Sequence, residues 1–162
     1  LFRSHREPVI EFKMLDCRSG IFDGKAYGTM RKSTTQSIGT GAFTALDWTS
    51  RTDTVSSGIT LGNTGLTIQV PGLYQVTGTA SFAANATGQR HSQVWLNGAV
   101  VLQGTGHDAA AGSDLTRLRA DGLVKCAIGD VLNLAVYQSS GAALTTNAAV
   151  GANSIAAVWV SP

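Results

Sequence analysis

The sequence predicts an all-β domain, a sandwich, jelly roll or barrel, on three observations. Apolar and polar residues alternate over long stretches, turn residues recur about every 8–12 positions, and no window longer than about ten residues carries helical periodicity. The chain has 162 residues, 43% of them hydrophobic and 14% charged, the proportions of one globular domain. At this length a fold hides roughly 70% of the surface its unfolded chain exposes, so a core is attainable without disulfide or metal. Nineteen glycines and eighteen threonines against five phenylalanines disfavour long helices.

The elements follow in order. Near the start, Ile10, Phe12 and Met14 alternate with Glu11 and Lys13, a half-buried strand pattern, and Asp23-Gly24 supplies a turn. Leu66, Ile68 and Val70 interleave with Thr67 and Gln69, and Tyr74, Val76, Gly78, Ala80 and Phe82 with Gln75, Thr77, Thr79 and Ser81. Pro71-Gly72 joins these two strands. Asn97-Gly98, between Val94–Leu96 and Ala99–Leu102, is the strongest short hairpin signal available, because a tight primed turn needs positive φ at both central residues. Gly129-Asp130 is expected to separate Leu123–Ile128 from Val131–Tyr137 in the same manner, and a last apolar strand runs from Ile155 to Val160.

Charge marks a boundary. Residues 1–33 hold seven basic and four acidic side chains, and the remaining 129 hold five and six. The net +2 therefore belongs to the arm. The expected division is an anchoring arm, 1–33, and a head, 34–162. Ile10, Phe12 and Met14, with Arg31 and Lys32 at the arm's end, are the candidate anchoring contacts, since so short a segment cannot bury its apolar residues alone.

The chemistry of sites is sparse. His5, His91 and His107 lie in separate segments without metal-ligand spacing, and Cys17 and Cys126 fit neither a disulfide framework nor a Cys-x-x-Cys motif. Asp108, Asp114 and Asp121 cluster in a Gly/Ala-rich stretch without a calcium-loop pattern, so a structural calcium ion finds no support and no cofactor is expected. Gly104–Ala109 imitates a dinucleotide fingerprint but lacks the βαβ setting and reads as a flexible loop. No nucleophile elbow is present. Arg117 and Arg119 share one side of a strand, where a carboxylate or sugar partner is conceivable and a solvated face is the plainer role. The sparse basic residues of residues 34–162 argue against nucleic acid. No apolar run approaches the ~20 residues of a membrane span, and the first eight residues lack the features of a secretory signal.

Several segments, taken in order, resemble the globular head of complement C1q and its tumour-necrosis-factor-like relatives. Gln36-Ser37-Ile38 resembles the opening of that domain, and Leu66–Val76, with Pro71, Gly72 and Tyr74, its central strand-Pro-Gly-Tyr block with one residue fewer between Pro and Gly. Val94-Trp95-Leu96-Asn97-Gly98 resembles its hairpin, Gly129-Asp130-Val131-Leu132 its Gly-Asp-x-hydrophobic strand, and Ile155–Val160 its closing strand. Asn85–Arg90 looks like a loop of bacterial and bacteriophage members, and no collagen-like repeat precedes residue 34.

What the resemblance implies is an all-β, C1q/TNF-like jelly-roll sandwich with a short N-terminal extended arm. It implies a homotrimer that acts by binding and assembly, with Pro71, Gly72, Tyr74, Asn97, Gly98, Gly129 and Asp130 as fold and trimer-core positions. The function expected is a non-enzymatic structural protein on the surface of a bacteriophage virion, assembled in the host cytoplasm. It would be anchored to a capsid or tail protein, as a capsid decoration or a head or tail fibre, and would face a host surface glycan or protein. The alternative is a receptor-binding tail tip, or a glycan-binding or cell-wall-acting domain, for which Trp48 and Trp95 are the nearest aromatics.

Overall fold

In a computed structural model, residues 26–56, 58–109, 115–149 and 151–162 are described. Two antiparallel sheets face each other. The first has five strands: β1 (Tyr27–Lys32) and β4 (Arg51–Val55) from the start of the described chain, then β7 (Gly72–Phe82), β11 (Thr116–Cys126) and β14 (Asn153–Ser161). Its spatial order is β11-β7-β14-β1-β4. The second centres on β8 (Gln89–Leu96) and β12 (Val131–Gln138). The strands β9 (Ala99–Gln103) and β10 (His107–Asp108) pair with β8, and β3 (Thr44–Ala45) and β6 (Gly65–Ile68) with β12. Outside β6 lies β5 (Ile59–Gly62), and a small ribbon of β2 (Ser37–Ile38) with β13 (Leu144–Thr145) closes one end.

The period-2 pattern decides which residues meet between the sheets. From the five-stranded sheet Met30, Tyr74, Val76, Ala80, Phe82, Leu118, Ile155 and Ala157 point inward, and Leu66, Ile68, Val94, Leu132, Leu134 and Val136 answer from the other. The chain passes repeatedly between the layers: β4 to β5, β6 to β7, β7 to β8, β10 to β11, β11 to β12. That alternation of sheets along the chain is the jelly roll.

It also corrects one expectation. Gly129-Asp130 is not a hairpin turn, because β11 lies in the five-stranded sheet and β12 in the other. The turn instead docks on β6: Ile68 donates its N–H to the Asp130 carbonyl at 2.8 Å, and Gly129 donates to the Ile68 carbonyl at 2.8 Å. The Gly104–Ala109 stretch carries the short strand β10, paired with Gln89 and Arg90, where a loop was expected.

The boundary between 33 and 34 also moves. Residues 27–32 form β1, an interior strand held by β14 on one side and β4 on the other. Met30 is fully buried and Lys32 is 1% exposed, with its ammonium donating to the Asp47 carbonyl and carboxylate at 2.9 Å each. Lys32 is thus consumed by the head's own fold and is not an anchoring contact. Arg31 stands exposed on the same strand, built into the sheet. Ile10, Phe12, Met14 and Cys17 lie outside the described residues.

Candidate functional site

The five-stranded sheet turns one face to the core, and its other face is a surface of unusual composition. Cross-strand register sorts that face into rows. Tyr27, Val158, Gln75 and Leu123 are successive partners across four strands. The next row is Thr54, Thr29, Ala156, Thr77 and Asp121, and the one after is Thr52, Arg31, Ser154, Thr79 and Arg119. Ser81 opposite Arg117 forms the last. Six residues of β7 separate the first row from the last, about 20 Å at strand rise.

Beyond the Tyr27 row lie Ser161, Leu73 and the exposed Lys125, so the face runs from a mostly apolar band edged by Lys125, through small and hydroxylated residues, to a cationic end. Tyr27, Leu123, Val158 and Val160 are between 43% and 54% exposed. Strands of an antiparallel sheet with one solvated face normally carry polar residues on it, and a contiguous apolar patch marks a surface used for contact. In the middle rows Thr79 and Ser154 share a hydrogen bond of 2.8 Å between their hydroxyls.

At the cationic end Arg119 binds Asp121 at 2.9 Å, whereas Arg117 has no ion pair or hydrogen bond with any described residue. Here a cleft of about 500 Å³ opens between β7, β11 and the turn that precedes β14. Asn153, fully buried, ties that turn down: its Oδ1 accepts the Ser81 N–H at 3.0 Å and its amide donates to the Asn147 carbonyl.

The residues singled out from the sequence cluster elsewhere. Asn97 (φ 53°) and Gly98 (φ 83°) form the expected hairpin turn. Asn97 also reaches the distant Gly129-Asp130 turn: it donates to Asp130 Oδ1 at 2.7 Å, and its own Oδ1 accepts the Val131 N–H at 2.9 Å. Asp130 Oδ2 accepts the Ala127 N–H at 2.7 Å. Two turns more than 30 residues apart in sequence thus become one clamp at one end of the sandwich.

Pro71, Gly72 and Tyr74 make the crossing from β6 to β7. Gly72 sits at φ 153°, and a Cβ there would run into the Trp159 indole and the Ser161 carbonyl, so only glycine fits. The Pro71 carbonyl accepts the Trp159 indole N–H at 3.2 Å. Tyr74 is wholly buried, and its hydroxyl donates to the Val70 carbonyl at 2.6 Å. Burial pushes its phenol up to about 12, with Cys126 adding to the shift. Burial, then Asp130, pushes the free thiol of Cys126 to about 11.

The Asn85–Arg90 loop folds around its last residue. Arg90 is fully buried, and its guanidinium donates to the carbonyls of Thr87 at 2.9 Å and Gln89 at 3.0 Å and to Asn85 Oδ1 at 3.2 Å, while lying over the Phe82 ring. Carbonyl dipoles serve where no carboxylate does, and burial lowers its pKa. Trp95 is a candidate glycan aromatic, but its indole is held by Gln93 at 2.9 Å. Trp48 is buried and donates to Asn133 at 2.8 Å. Among the described residues no three His, Cys, Asp or Glu side chains gather as metal ligands would.

Sequence reasoning missed Tyr27, Leu123, Val158, Val160 and Ser81. A signal for part of this was available: Ile155–Val160 is apolar at every position, which is the pattern of a strand covered on both faces.

No protein-family model matches the sequence, and no curated protein does. Solved structures match in fold. Murine APRIL, crystallised at pH 8.0, superposes with a TM-score of 0.63 at 11% identity, over 84% of this chain and 99% of that one. The Eiger TNF of S. frugiperda superposes with a TM-score of 0.59 at 14% identity, over 85% of this chain and 92% of that one. The chain is thus an all-β sandwich with a TNF-like jelly-roll fold.

Proposed function

We propose that the protein is a non-enzymatic structural component of a bacteriophage virion. Three copies would assemble through the apolar end of the outward face of the five-stranded sheet, with the segment before residue 26 joining the head to a capsid or tail protein. The observation that carries this is the gathering of exposed Tyr27, Val158, Leu123 and Val160 around Gln75 on one outward face of the sandwich. Burying such a patch against copies of itself yields roughly 25 cal/mol per Å² of apolar area, and self-association is the simplest partner a chain always has. The trimeric number and the virion setting rest on the sequence resemblance to bacterial and bacteriophage C1q-like heads.

The test has two parts. Light scattering on the purified chain should give the mass of three copies, and Val158→Asp should reduce it to one while circular dichroism stays all-β. The chain should also bind particles that lack it. A monomeric parent, or a Val158→Asp variant that stays trimeric, would overturn the assembly face; failure to bind particles would remove the virion role and leave the face intact.

A further inference from the structure

The cleft at the cationic end of the same sheet is not accounted for by assembly through the apolar end. Its floor is Ser81, 2% exposed and facing outward from β7, whose hydroxyl has no hydrogen-bond partner. A buried hydroxyl without a partner is costly, and such orphans call for an explanation. Directly across the strand pair stands Arg117, close enough for side-chain contact. His107, Leu115, Asn147 and Ala149 also line it, the last two on the turn that Asn153 fastens to β7.

Charge decides the ligand class. The next carboxylate on this face, Asp121, is already engaged by Arg119, so among the described residues Arg117 has no carboxylate partner. One planar fork with a hydroxyl beside it matches a single carboxylate better than a phosphate dianion, which would call for more positive charge or a nest of backbone N–H groups. The volume, about 500 Å³, lies in the range of small-molecule sites. Hydroxyl and amide groups beside short apolar side chains suit a hydroxylated ring, polar at its edge and apolar on its C–H face.

We propose that this cleft binds the carboxylate of an acidic sugar, with Arg117 as ion partner and the Ser81 hydroxyl as donor at the floor. The site lies about 20 Å from the apolar row and does not rest on the virion reading. The floor hydroxyl lies across the strand pair from Arg117, so a carboxylate gains the charge-assisted bond that an uncharged sugar forgoes.

The experiment titrates the full chain with glucuronate, acetate and glucose while amide and guanidinium NMR shifts are followed. Glucuronate should move the Arg117 and Ser81 signals with millimolar affinity, acetate should bind at least several-fold more weakly, and glucose should leave them in place. Arg117→Gln should abolish the glucuronate shifts, and Ser81→Ala should weaken binding several-fold without lowering thermal stability. Equal response to acetate would reduce the cleft to a generic anion site and overturn the sugar assignment. So would absence of shifts at tens of millimolar glucuronate. Wild-type affinity in Ser81→Ala would overturn the role of the floor. If Arg117→Gln instead breaks the oligomer, the cleft is a subunit contact and the proposal falls.

Discussion

The two faces of the five-stranded sheet are made by the same strands and meet opposite fates. Inward, Met30, Val76, Ala80, Phe82 and Ile155 are sealed beneath the second sheet. Outward on β1, β14 and β11, Tyr27, Val158 and Leu123 stand half open. The second sheet's outward face looks different again. There Tyr137 packs against Phe43 at 5.3 Å and edge-on to His91 at 5.5 Å, and Trp95 satisfies its indole on Gln93. Its exposed Val100 and Val101 sit on β9 at a register shift against Val94 and Trp95, where the period of two is interrupted. One sandwich thus has an outer surface whose ring side chains are partnered with one another, and another that carries exposed apolar residues toward one end and arginines toward the other.

Changes that touch both faces of the sheet should have the largest effect. Deleting residues 1–33 removes β1 from between β14 and β4, so the truncated chain should fail to fold. Deleting residues 1–25 leaves every described contact of β1 in place and should keep the cooperative melt. Circular dichroism melts of the two truncations check this, and equal stability would show that β1 is dispensable.

Next come changes confined to one face. Phe82→Ala opens the core and should cost about 3–5 kcal/mol, whereas Val158→Ala should cost under about 0.5 kcal/mol of protomer stability while weakening self-association. Urea unfolding measures the first quantity and concentration-dependent light scattering the second. A large loss of protomer stability in Val158→Ala would erase the distinction between the faces.

A smaller effect tests the buried Lys32 ammonium on the inward side. Asp47→Ala strands the Lys32 ammonium and should cost about 1–2 kcal/mol, the low end for such pairs because Asp47 is 46% exposed. Lys32→Met should be near neutral. Burial raises the Asp47 pKa, but the hydrogen bonds from Lys32 and Thr49 together hold it below its ordinary 3.8. A lowered carboxylate contributes stability above that value and loses it as pH falls further. The acid slope should accordingly flatten in Asp47→Ala.

The mildest effect is alkaline. Cys126 and Tyr74 are protonated more readily in the fold than out of it, their values rising from 9.0 to about 11 and from 10.0 to about 12. The folded state then holds more protons than the unfolded one, so stability is full below pH 9 and declines as pH climbs. Replacing Cys126 with Ala should remove the first part of that decline in pH-dependent urea melts, whatever the packing loss does to the plateau.

Much of this was legible in the sequence. Alternation at Leu66–Phe82 determined which residues face inward, because side chains on a strand alternate by geometry alone. Asn97-Gly98 determined a hairpin, because positive φ at two successive residues is a local demand that local chemistry meets. Pro71-Gly72 determined where one strand ends and the next begins. Which sheet each strand joins was decided only in the tertiary structure: Gly129-Asp130 carries the same kind of turn residues as Asn97-Gly98, yet it bridges the two layers. Period two specifies a face and leaves the partner open, and pairing depends on contacts distant in sequence. For the same reason β1 could be taken for part of an arm by its charge, although its neighbours are residues 51–55 and 153–158. The cleft came from the tertiary structure too, since Ser81, Arg117 and Asn147 meet only when β11 lies beside β7 and the turn before β14 folds over both.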